Sequence, residues 1–513
     1  MVAASRVDGQ DFDVVVIGGG TAGCIIAGRL ALGTERAVLL LEEGPDDQPP
    51  LVADLASQPQ VIKSAFVRRY PEDREQGRGT TLLSGRVLGG GWSVNHSAMV
   101  RPTDADLAVI AEVGGAAWAP RRLLELMARL ERDVDFGGRD GHGTDGPVRI
   151  ARRYREGDPV APAVRDLFAA CGESGVPFVA DVSAGGDTMG ICAYPYAFDG
   201  ERRVSSATAH LAAARHRPNL TVRGDSSVRR ILIQDGRVVG VEYSAANDPS
   251  AAPVQVRTER VVLAAGVFHS PQILQRSGVG DPDHLDRCGI ASAVALPGVG
   301  CGFRDHAKFE VTFLLTPTAE DLDHDRATDL GDGLKLHLRL RSSRAATDPD
   351  LDLALRHPVG SGTMILTVRL LEQRQTGTVR LDPDDLLGLP KVRTAMLTDP
   401  ADAAALAEGV MTGIAIMRHP TLAGRYVLPE DAPDGAEAWR AVLLREYGSY
   451  NHGVGTCRMG DDTDAVVGPD LQVHGVEGLT VADASVLPVL PHGNTNYPVA
   501  LVAEWAADHL IHG

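Results

Sequence analysis

The sequence has few aromatic residues and no excess of basic ones. Phe, Trp and Tyr make up 4% of the 513 residues, and the formal net charge is -18. A site for single-stranded nucleic acid needs stacking rings and cations, and a chain this acidic repels the phosphates of nucleic acids and anionic lipids. We therefore expect no nucleic acid partner and no binding to an anionic membrane surface.

Cysteine is scarce, and long apolar runs are absent. The six cysteines form no C-x-x-C pair, a pattern that favours neither a disulfide framework nor a zinc site. We predict no metal site and a reducing, cytoplasmic location. No apolar run approaches the ~20 residues that cross a bilayer, and residues 1–13 hold no apolar stretch of signal-peptide length. The sequence thus predicts no membrane span.

What the sequence does contain is the pattern of a large globular α/β protein. Its residues are 44% apolar and 23% charged, and the chain is long enough for two domains around a substantial core. The run Val14–Ile17 predicts a strand buried on both faces, the alanine-rich segment Thr21–Leu32 a helix, and Val38–Leu41 a second buried strand. Together they predict a βαβ unit.

The turn between the first strand and the helix has the spacing G-x-G-x-x-G. Gly18 makes the tight turn, Gly20 lets the backbone approach a pyrophosphate, and Gly23 lets helix and strand pack closely. Glu42 ends the second strand, where a carboxylate can accept hydrogen bonds from an adenosine ribose. The motif alone leaves open an FAD enzyme, a nicotinamide-dependent enzyme and a simple nucleotide-binding module. The predicted ligands here are Gly18, Gly20, Thr21, Ala22, Gly23 and Glu42.

Further elements follow from local patterns. Two β-rich runs, Arg229–Ile233 and Val238–Tyr243, flank Asp235-Gly236, a typical hairpin turn. Residues 44–85 are charged and loop-like in composition. We also predict helices over residues 118–133 and 203–216 and a buried strand over residues 261–265.

Residues from about 308 to about 430 differ in character from the rest. Runs such as Lys335–Leu340 alternate polar and apolar side chains, which predicts a half-solvated antiparallel sheet. We interpret this region as most of a second domain inserted into the first. The predicted nucleotide-binding domain comprises residues 1–150, 196–305 and 440–513, and the predicted substrate-binding domain comprises residues 151–195 and 306–439.

Four further stretches resemble signatures of the glucose-methanol-choline (GMC) family of flavoprotein oxidoreductases. With the glycine turn, they extend from residue 13 to the C-terminus in the family's order and spacing. Physically, Gly89-Gly90-Gly91 can turn several backbone N–H groups towards a flavin edge or a phosphate. The four stretches are Gly85–Asn95, Gly266–Leu274 with Ser277–Gly280, Leu296–Gly300 with Asp305-His306, and Asn451–Gly460 with Asp483–Ser485 and Asn494–Pro498.

The resemblance implies an α/β fold: a Rossmann-like FAD-binding domain, whose mixed sheet begins with the βαβ unit, and an inserted α+β substrate domain with an antiparallel sheet. Val94 occupies the place where some members carry a histidine bonded covalently to the flavin, so we expect non-covalent FAD. Trp92 replaces a small residue and is expected near the flavin or at its entrance, whereas Val267 is interpreted as a packing variation. Beyond the glycine turn, the implied cofactor-binding residues are Arg86, Gly90, Gly91, Asn95, Val228, Ala265, Gly266, Asp483, Thr495 and Asn496.

The resemblance also implies a catalytic pair, His452 and Asn494, facing the flavin N5. An imidazole titrates near neutral pH, so His452 can take the hydroxyl proton of an alcohol while its carbon donates hydride. The Asn494 amide cannot act as a base but can orient the substrate oxygen. Asn496 is the competing choice for the partner, and His492 is either a third polar wall of the pocket or a loop residue. His306 is expected to be a structural residue at the domain boundary.

The predicted function is oxidation of an alcohol to a carbonyl by an FAD-dependent alcohol oxidase or dehydrogenase. A flavin-fold lyase, with the same acid–base histidine and a redox-inactive FAD, is the alternative. The predicted partners are a small-molecule alcohol and an electron acceptor, which is oxygen, a quinone or another carrier. The sequence identifies neither the alcohol nor the acceptor. Cys457 lies in the last signature, but nothing beside it indicates an activated thiolate.

Overall fold

A five-stranded parallel sheet lies at the centre of the protein. The computed structural model describes residues 11–73, 79–139, 141–152, 162–248, 251–315, 335–356, 361–422 and 424–513. Because the sheet combines strands from both ends of the chain, it brings distant signatures to one edge. In spatial order its strands are Leu220–Arg223, Val38–Leu41, Val14–Ile17, Val261–Leu263 and Leu479–Val481.

The predicted βαβ unit is confirmed. Val14–Ile17 and Val38–Leu41 pair in parallel, and every side chain in both strands is buried. Branched aliphatic residues suit a strand that is covered on both faces. The helix Thr21–Gly33 connects the two strands and packs against the C-terminal helix Asn496–His512.

The predicted hairpin is confirmed and is longer than its apolar runs. Strands Ser226–Gln234 and Arg237–Ala245 pair antiparallel, and Val254–Arg257 adds a third strand. Asp235 and Gly236 have φ values of 49° and 76°, the backbone of a two-residue turn that matches the twist of the strands. This antiparallel sheet is separate from the central sheet, which is parallel throughout.

A second large sheet, which we call the wall sheet, comes mostly from the region predicted as an inserted domain. The helix Pro400–Met417 packs on its apolar face. Asp399 caps this helix by accepting a hydrogen bond from the Ala401 N–H at 2.8 Å, and a proline at the first helical position suits the helix start. In spatial order the strands are Tyr426–Val427, Ala307–Leu315, Thr363–Leu370, Leu351–Arg356, Lys335–Leu340, Gly190–Cys192 and Phe178–Val179, with Gly448–Ser449 paired to Ala307–Leu315.

The predicted half-solvated character of Lys335–Leu340 is wrong. Leu336 and Leu338 join the core beneath the helix, but His337 and Arg339 on the opposite face are buried as well. The polar face is turned towards the interior of the molecule, so its alternation separates two buried environments instead of core and solvent.

Three other local predictions differ from the structure. The helix predicted over residues 118–133 spans Pro120–Leu130, because the chain continues directly into the strand Glu131–Asp133. The region 203–216 contains a π-helical turn, Ala207–Leu211, and one α-helical turn, Ala212–Ala214. Residues 44–85 contain two short helices and a hairpin.

The remaining elements surround the two sheets. The helices are Pro50–Ala53, Gln58–Lys63, Gly91–Val94, Asp104–Gly114, Pro162–Glu173, Gly266–Arg276, Pro282–Arg287 and Ala436–Glu446, with 3₁₀ turns at Gly115–Trp118, Pro420–Leu422 and Ala484–Val486. The strands are Val67–Pro71, Thr81–Gly85, Val148–Arg152, Pro195–Asp199, Arg202–Arg203, Val279–Gly280, Val294–Ala295, Cys301–Phe303, Gly377–Arg380 and Lys391–Arg393.

The apolar core has two main clusters, one around the central sheet and one beneath the wall sheet. The predicted fold class, a Rossmann-like part with a parallel sheet and a part with an antiparallel sheet, is confirmed. The residue boundaries between the two domains stay a prediction. In the part of the chain that the structure describes, no helix is long and apolar enough to cross a membrane.

Six charged side chains form a buried cluster beside the strand Glu131–Asp133. Nδ1 of His142 lies 2.8 Å from the Glu131 carboxylate, and Nε2 lies 2.9 Å from Asp181. Glu131, Asp133 and His142 are close enough to share a metal ion. However, Arg152 binds Asp133 at 2.7 Å, and a second arginine binds Glu131, so the carboxylates already have cationic partners. The six are Arg101, Glu131, Asp133, His142, Arg152 and Asp181.

We expect the stabilising contribution of His142 to be lost at alkaline pH. Burial opposes its charge, but hydrogen bonds to Asp133, Asp181 and Glu131 outweigh burial and raise the pKa of His142 from 6.5 to about 10. This contribution is complete below pH 6.5 and is lost as the pH rises towards 10. In urea unfolding, His142→Gln should cost about 3 kcal/mol near neutral pH and much less in alkaline buffer.

His216→Gln, at an exposed position, is the matched control and should change the free energy of unfolding little at any pH. A destabilisation by His142→Gln that is equal in neutral and alkaline buffer would contradict the assigned charge.

Candidate active site

The first glycine turn leaves the start of its helix open to a cavity. Gly18 has φ +94°, and a Cβ there would lie 2.5 Å from the Ala264 carbonyl oxygen. At Gly23 a Cβ would overlap the carbonyl oxygen of Gly18, so this glycine allows helix and strand to pack closely. The N-cap residue, Gly20, has no capping side chain. The free N–H groups and the helix dipole suit an anionic phosphate group.

The second glycine turn packs directly against the first. Gly89 donates its N–H to the Gly19 carbonyl at 2.7 Å. Gly90 has φ +51°, and a Cβ there would lie 2.7 Å from the Cα of Gly20. Only glycine allows this approach of two backbones, so the two turns together form one edge of the cavity.

Glu42 lies beside the first turn, at the end of its strand. Its two carboxylate oxygens accept hydrogen bonds from the N–H groups of Gly19, at 2.7 Å, and Gly44, at 2.8 Å. Burial raises the pKa of Glu42, and these two hydrogen bonds oppose the change. The carboxylate thus holds the turn in shape and still lines the cavity.

One cavity of ≈ 500 Å³ joins the two glycine turns to the C-terminal signatures. Its lining runs from Glu42 and Val228, beside the first turn, to His452 and Asn494, and one continuous cavity with these residues suits a dinucleotide. Of the residues predicted to bind the cofactor, Gly23 alone does not line the cavity. Those that do are Gly18, Gly20, Thr21, Ala22, Glu42, Arg86, Gly90, Gly91, Asn95, Val228, Ala265, Gly266, Asp483, Thr495 and Asn496.

His452 and Asn494 meet at the far end of the cavity. The side-chain amide nitrogen of Asn494 lies 3.2 Å from Nε2 of His452. The amide oxygen of Asn494 is buried and has no hydrogen-bond partner among the described residues. The competing Asn496 is turned elsewhere, towards the Thr21 hydroxyl at 3.3 Å and the Met99 sulfur at 3.0 Å.

His306 fixes the proton position on His452. Nε2 of His306 lies 3.0 Å from the Pro491 carbonyl oxygen, and a carbonyl only accepts, so Nε2 carries the proton. Nδ1 of neutral His306 is then an acceptor, and it lies 2.8 Å from Nδ1 of His452. His452 therefore donates from Nδ1 and has its lone pair on Nε2, facing Asn494. The expectation that His306 is a structural residue at the domain boundary stays a prediction, and its hydrogen bond to His452 adds a contact that the sequence did not predict.

A buried carboxylate holds the backbone of both histidines. Asp305 accepts hydrogen bonds from the backbone N–H of His306, at 2.7 Å, and of His452, at 2.8 Å. The Ser449 hydroxyl also donates to it. Burial raises the pKa of Asp305 to about 6, against these hydrogen bonds.

Burial keeps both histidines neutral. The pKa of His452 is held well below 6.5 by burial, and the positive charge of Arg369 lowers it further. Burial also holds the pKa of His306 well below 6.5. A neutral imidazole with an unprotonated Nε2 has the form that a general base needs.

Several conspicuous residues lie outside the cavity. Trp92 is fully buried in the core around the central sheet and does not line the cavity, so the expectation that it lies near the flavin is wrong. Its neighbours Gly91 and Val94 do line it, because successive residues of a helical turn point in different directions. His492 pairs with Asp106 at 2.8 Å, away from the cavity.

Cys457 is also buried in the core, and burial raises the pKa of its thiol well above 9. This environment agrees with the expectation that its thiolate is not activated.

The side of the cavity that the wall sheet forms was not predicted from the sequence. Strand residues there present polar groups inward, and Tyr450 packs its ring 4.8 Å from that of His452. The one signal in the sequence was the alternation of polar and apolar residues, which we interpreted as a solvent-exposed face. The lining residues from this side are Lys308, Glu310, His337, Ala354, Arg356 and Thr367.

The chain belongs to the GMC oxidoreductase family. The family's N-terminal sequence profile matches residues 12–308, and its C-terminal profile matches residues 373–503. The protein is therefore an oxidoreductase of a family that binds FAD, and both the predicted family and the predicted enzyme class are confirmed.

Relatives of established activity resemble it over almost their whole length. The chain is 31% identical to a 5-(hydroxymethyl)furfural oxidase of Methylovorus sp. (strain MP688), over 98% of each chain. It is 29% identical to an alcohol dehydrogenase (acceptor) of Pseudomonas putida, over 98% of this chain and 96% of that one. The crystal structure of pyridoxine 4-oxidase from Mesorbium loti matches with a TM-score of 0.86 and 26% identity, over 98% of this chain and 100% of that one.

Proposed function

We propose that this protein oxidises the CH–OH group of an alcohol to a carbonyl, with His452 as general base and Asn494 orienting the hydroxyl group. The observation that carries the proposal is the single cavity in which the lone pair of His452 faces the same space as the two glycine turns. The alcohol oxidase and dehydrogenase activities of the relatives support the same reaction class.

The residues of the cavity fit FAD bound without a covalent bond. The open helix start at Gly20 would hold the pyrophosphate, and the end near Glu42 and Val228 would hold the adenosine. Val94 lines the cavity and has no group that could bond to the flavin. When bound, FAD supplies the acceptor for the hydride that leaves the carbinol carbon.

The roles of the three polar groups follow from their hydrogen bonds. Nε2 of His452 takes the hydroxyl proton, and the charge that develops on the ring is shared through Nδ1 with His306. The amide nitrogen of Asn494 lies beside Nε2, so it can donate to the substrate oxygen while that oxygen loses its proton. The buried position of His452 excludes water that would compete for the base.

The test is anaerobic reduction. The purified protein should be yellow, and a panel of primary alcohols, sugars and aryl alcohols should include substrates that bleach the flavin absorbance. Flavin that stays oxidised while the substrate is cleaved would favour a lyase instead. Reoxidation by air, compared with reoxidation by a quinone, then identifies the electron acceptor, for which we propose oxygen, a quinone or another carrier.

Acid precipitation should release all the FAD into the supernatant, since we propose a non-covalent complex. Flavin that remains with the precipitate would contradict this, and His96, which also lines the cavity, would be the first residue to replace. We also propose a cytoplasmic location, which the six unpaired cysteines support.

A further inference from the structure

The polar face of the wall sheet forms cross-strand rows along the cavity. The strand register places Glu310 opposite Thr367, Thr367 opposite Ala354, and Ala354 opposite His337. These residues line the cavity, and the small side chain of Ala354 leaves room between its larger neighbours. The alternate residues of the same strands point into the apolar core. This row therefore forms one polar surface of the cavity, which we call the floor, and a substrate can lie against it.

Cations outnumber carboxylates on this face. The described side chains of its four central strands include four cations, Lys308, Arg339, Arg356 and Arg369, and two carboxylates, Glu310 and Asp352. The whole chain, by contrast, has a net charge of -18. Two of the four cations, Lys308 and Arg356, line the cavity, and cations there attract anionic ligands that the rest of an acidic surface repels.

Three of the four cations already have partners. Arg369 is fully buried and binds Asp352 at 2.7 Å. Arg339 is fully buried and donates to the His492 carbonyl oxygen at 2.7 Å. Lys308 pairs with Glu310 at 3.0 Å.

Arg356 is the fourth cation, and no described residue makes a hydrogen bond or an ion pair with it. It is partly exposed and lines the cavity. Its positive charge acts on Glu310: burial favours a higher pKa for that carboxyl group, but the charges of Lys308 and Arg356 help to hold the pKa below its usual value. A guanidinium group with free N–H donors is suited to bind a carboxylate through two hydrogen bonds.

The position of Arg356 along its strand separates it from the catalytic pair. Arg369 stacks on the Tyr450 ring, at 4.2 Å from its centroid, and Tyr450 packs against His452. Arg369 pairs with Asp352 on the neighbouring strand Leu351–Arg356. Arg356 lies four residues beyond Asp352 on that strand, which separates the two residues by about 13 Å at 3.3 Å per residue. A molecule that reaches both His452 and Arg356 therefore needs a spacer between its two ends.

We propose that the substrate is an alcohol that carries a carboxylate at the end remote from its hydroxyl group, and that Arg356 binds this carboxylate. The inference rests on the proposed function and identifies its substrate class.

The experiment compares alcohols of equal size with and without a charge. The pair is 4-(hydroxymethyl)benzoate and 4-(hydroxymethyl)benzamide, and the measurement is the kcat/KM of flavin-dependent oxidation. The holoenzyme should prefer the carboxylate by about 10- to 100-fold, as expected for a hydrogen-bonded charge pair. Arg356→Met should remove the preference by raising the KM for the carboxylate. Arg260→Met, at an exposed position that does not line the cavity, should leave the preference intact.

Two further measurements should change the preference for the charged alcohol in opposite directions. Glu310→Gln removes the competing carboxylate and should increase the preference for the charged alcohol, whereas added salt should decrease it. Glycolate is too short to span the floor and should have no advantage over ethylene glycol.

The possible failures are distinguishable. If no alcohol bleaches the flavin, the proposed function fails. If the amide is oxidised as well as the carboxylate, if Arg356→Met keeps the preference, or if glycolate is favoured to the same extent, the oxidation stands and the role of Arg356 is overturned.

Discussion

Replacing His452 with alanine is expected to leave the protein folded and yellow while slowing reduction of the flavin by an alcohol about 10²- to 10⁴-fold. The hydroxyl proton then loses its acceptor at Nε2 of His452, and the neighbouring imidazole, His306, does not line the cavity. FAD should remain bound, since the substitution leaves the glycine turns that would hold it unchanged.

Anaerobic stopped-flow measurement of flavin bleaching checks this result. Free imidazole should restore part of the rate, because the deleted side chain leaves space for it. His216→Ala, at an exposed position, is the control, and its flavin should be reduced at the rate of the unaltered protein. Unchanged kinetics in His452→Ala would remove His452 from the mechanism.

Replacing His306 with leucine is expected to slow flavin reduction about 10²-fold or more without a comparable change in KM. Leucine cannot accept the proton of His452 Nδ1, so the imidazole is free to adopt the tautomer whose proton occupies Nε2. A wrong tautomer of the base costs about 10⁴-fold in serine proteases. His306→Asn places a carboxamide oxygen where Nδ1 was and should recover much of the rate.

The pH profile separates this positioning role from a purely structural one. Because burial holds the pKa of His452 well below 6.5, the base of the unaltered protein is unprotonated at neutral pH, and its reduction rate should fall only in acid. In His306→Leu, reduction of the flavin should be slow at every pH. Equal rates in His306→Leu and His306→Asn, with equal FAD content and melting temperature, would contradict the tautomer assignment.

The glycine turn shows how much local sequence can determine. The spacing of Gly18, Gly20 and Gly23 after a buried strand predicts a phosphate-binding turn. Such a turn needs positive φ and a close approach of backbones, and glycine is the residue that allows both. The contact between this turn and the Gly89–Gly91 turn was not predictable from either motif. It depends on the fold of the intervening residues.

The catalytic end shows the opposite case. Sequence resemblance indicated His452 and Asn494 but not the hydrogen bond between His306 and His452, which joins residues 146 positions apart. Trp92 was expected near the flavin from its place in a signature, yet the orientation of the helical turn Gly91–Val94 buries it in the core. Which way a side chain points is decided by packing around it, not by its neighbours in sequence.

The wall sheet shows most clearly what the sequence could not predict. The alternation in Lys335–Leu340 predicted a strand with one apolar and one polar face, and the strand is confirmed. Alternation specifies two different environments but not what covers either face, so the polar face was interpreted as solvated. The sequence by itself determined the βαβ unit, the glycine turns and the family. The tertiary structure alone decided that this polar face closes the cavity, because only the folded chain brings Arg356, Tyr450 and His452 to one space.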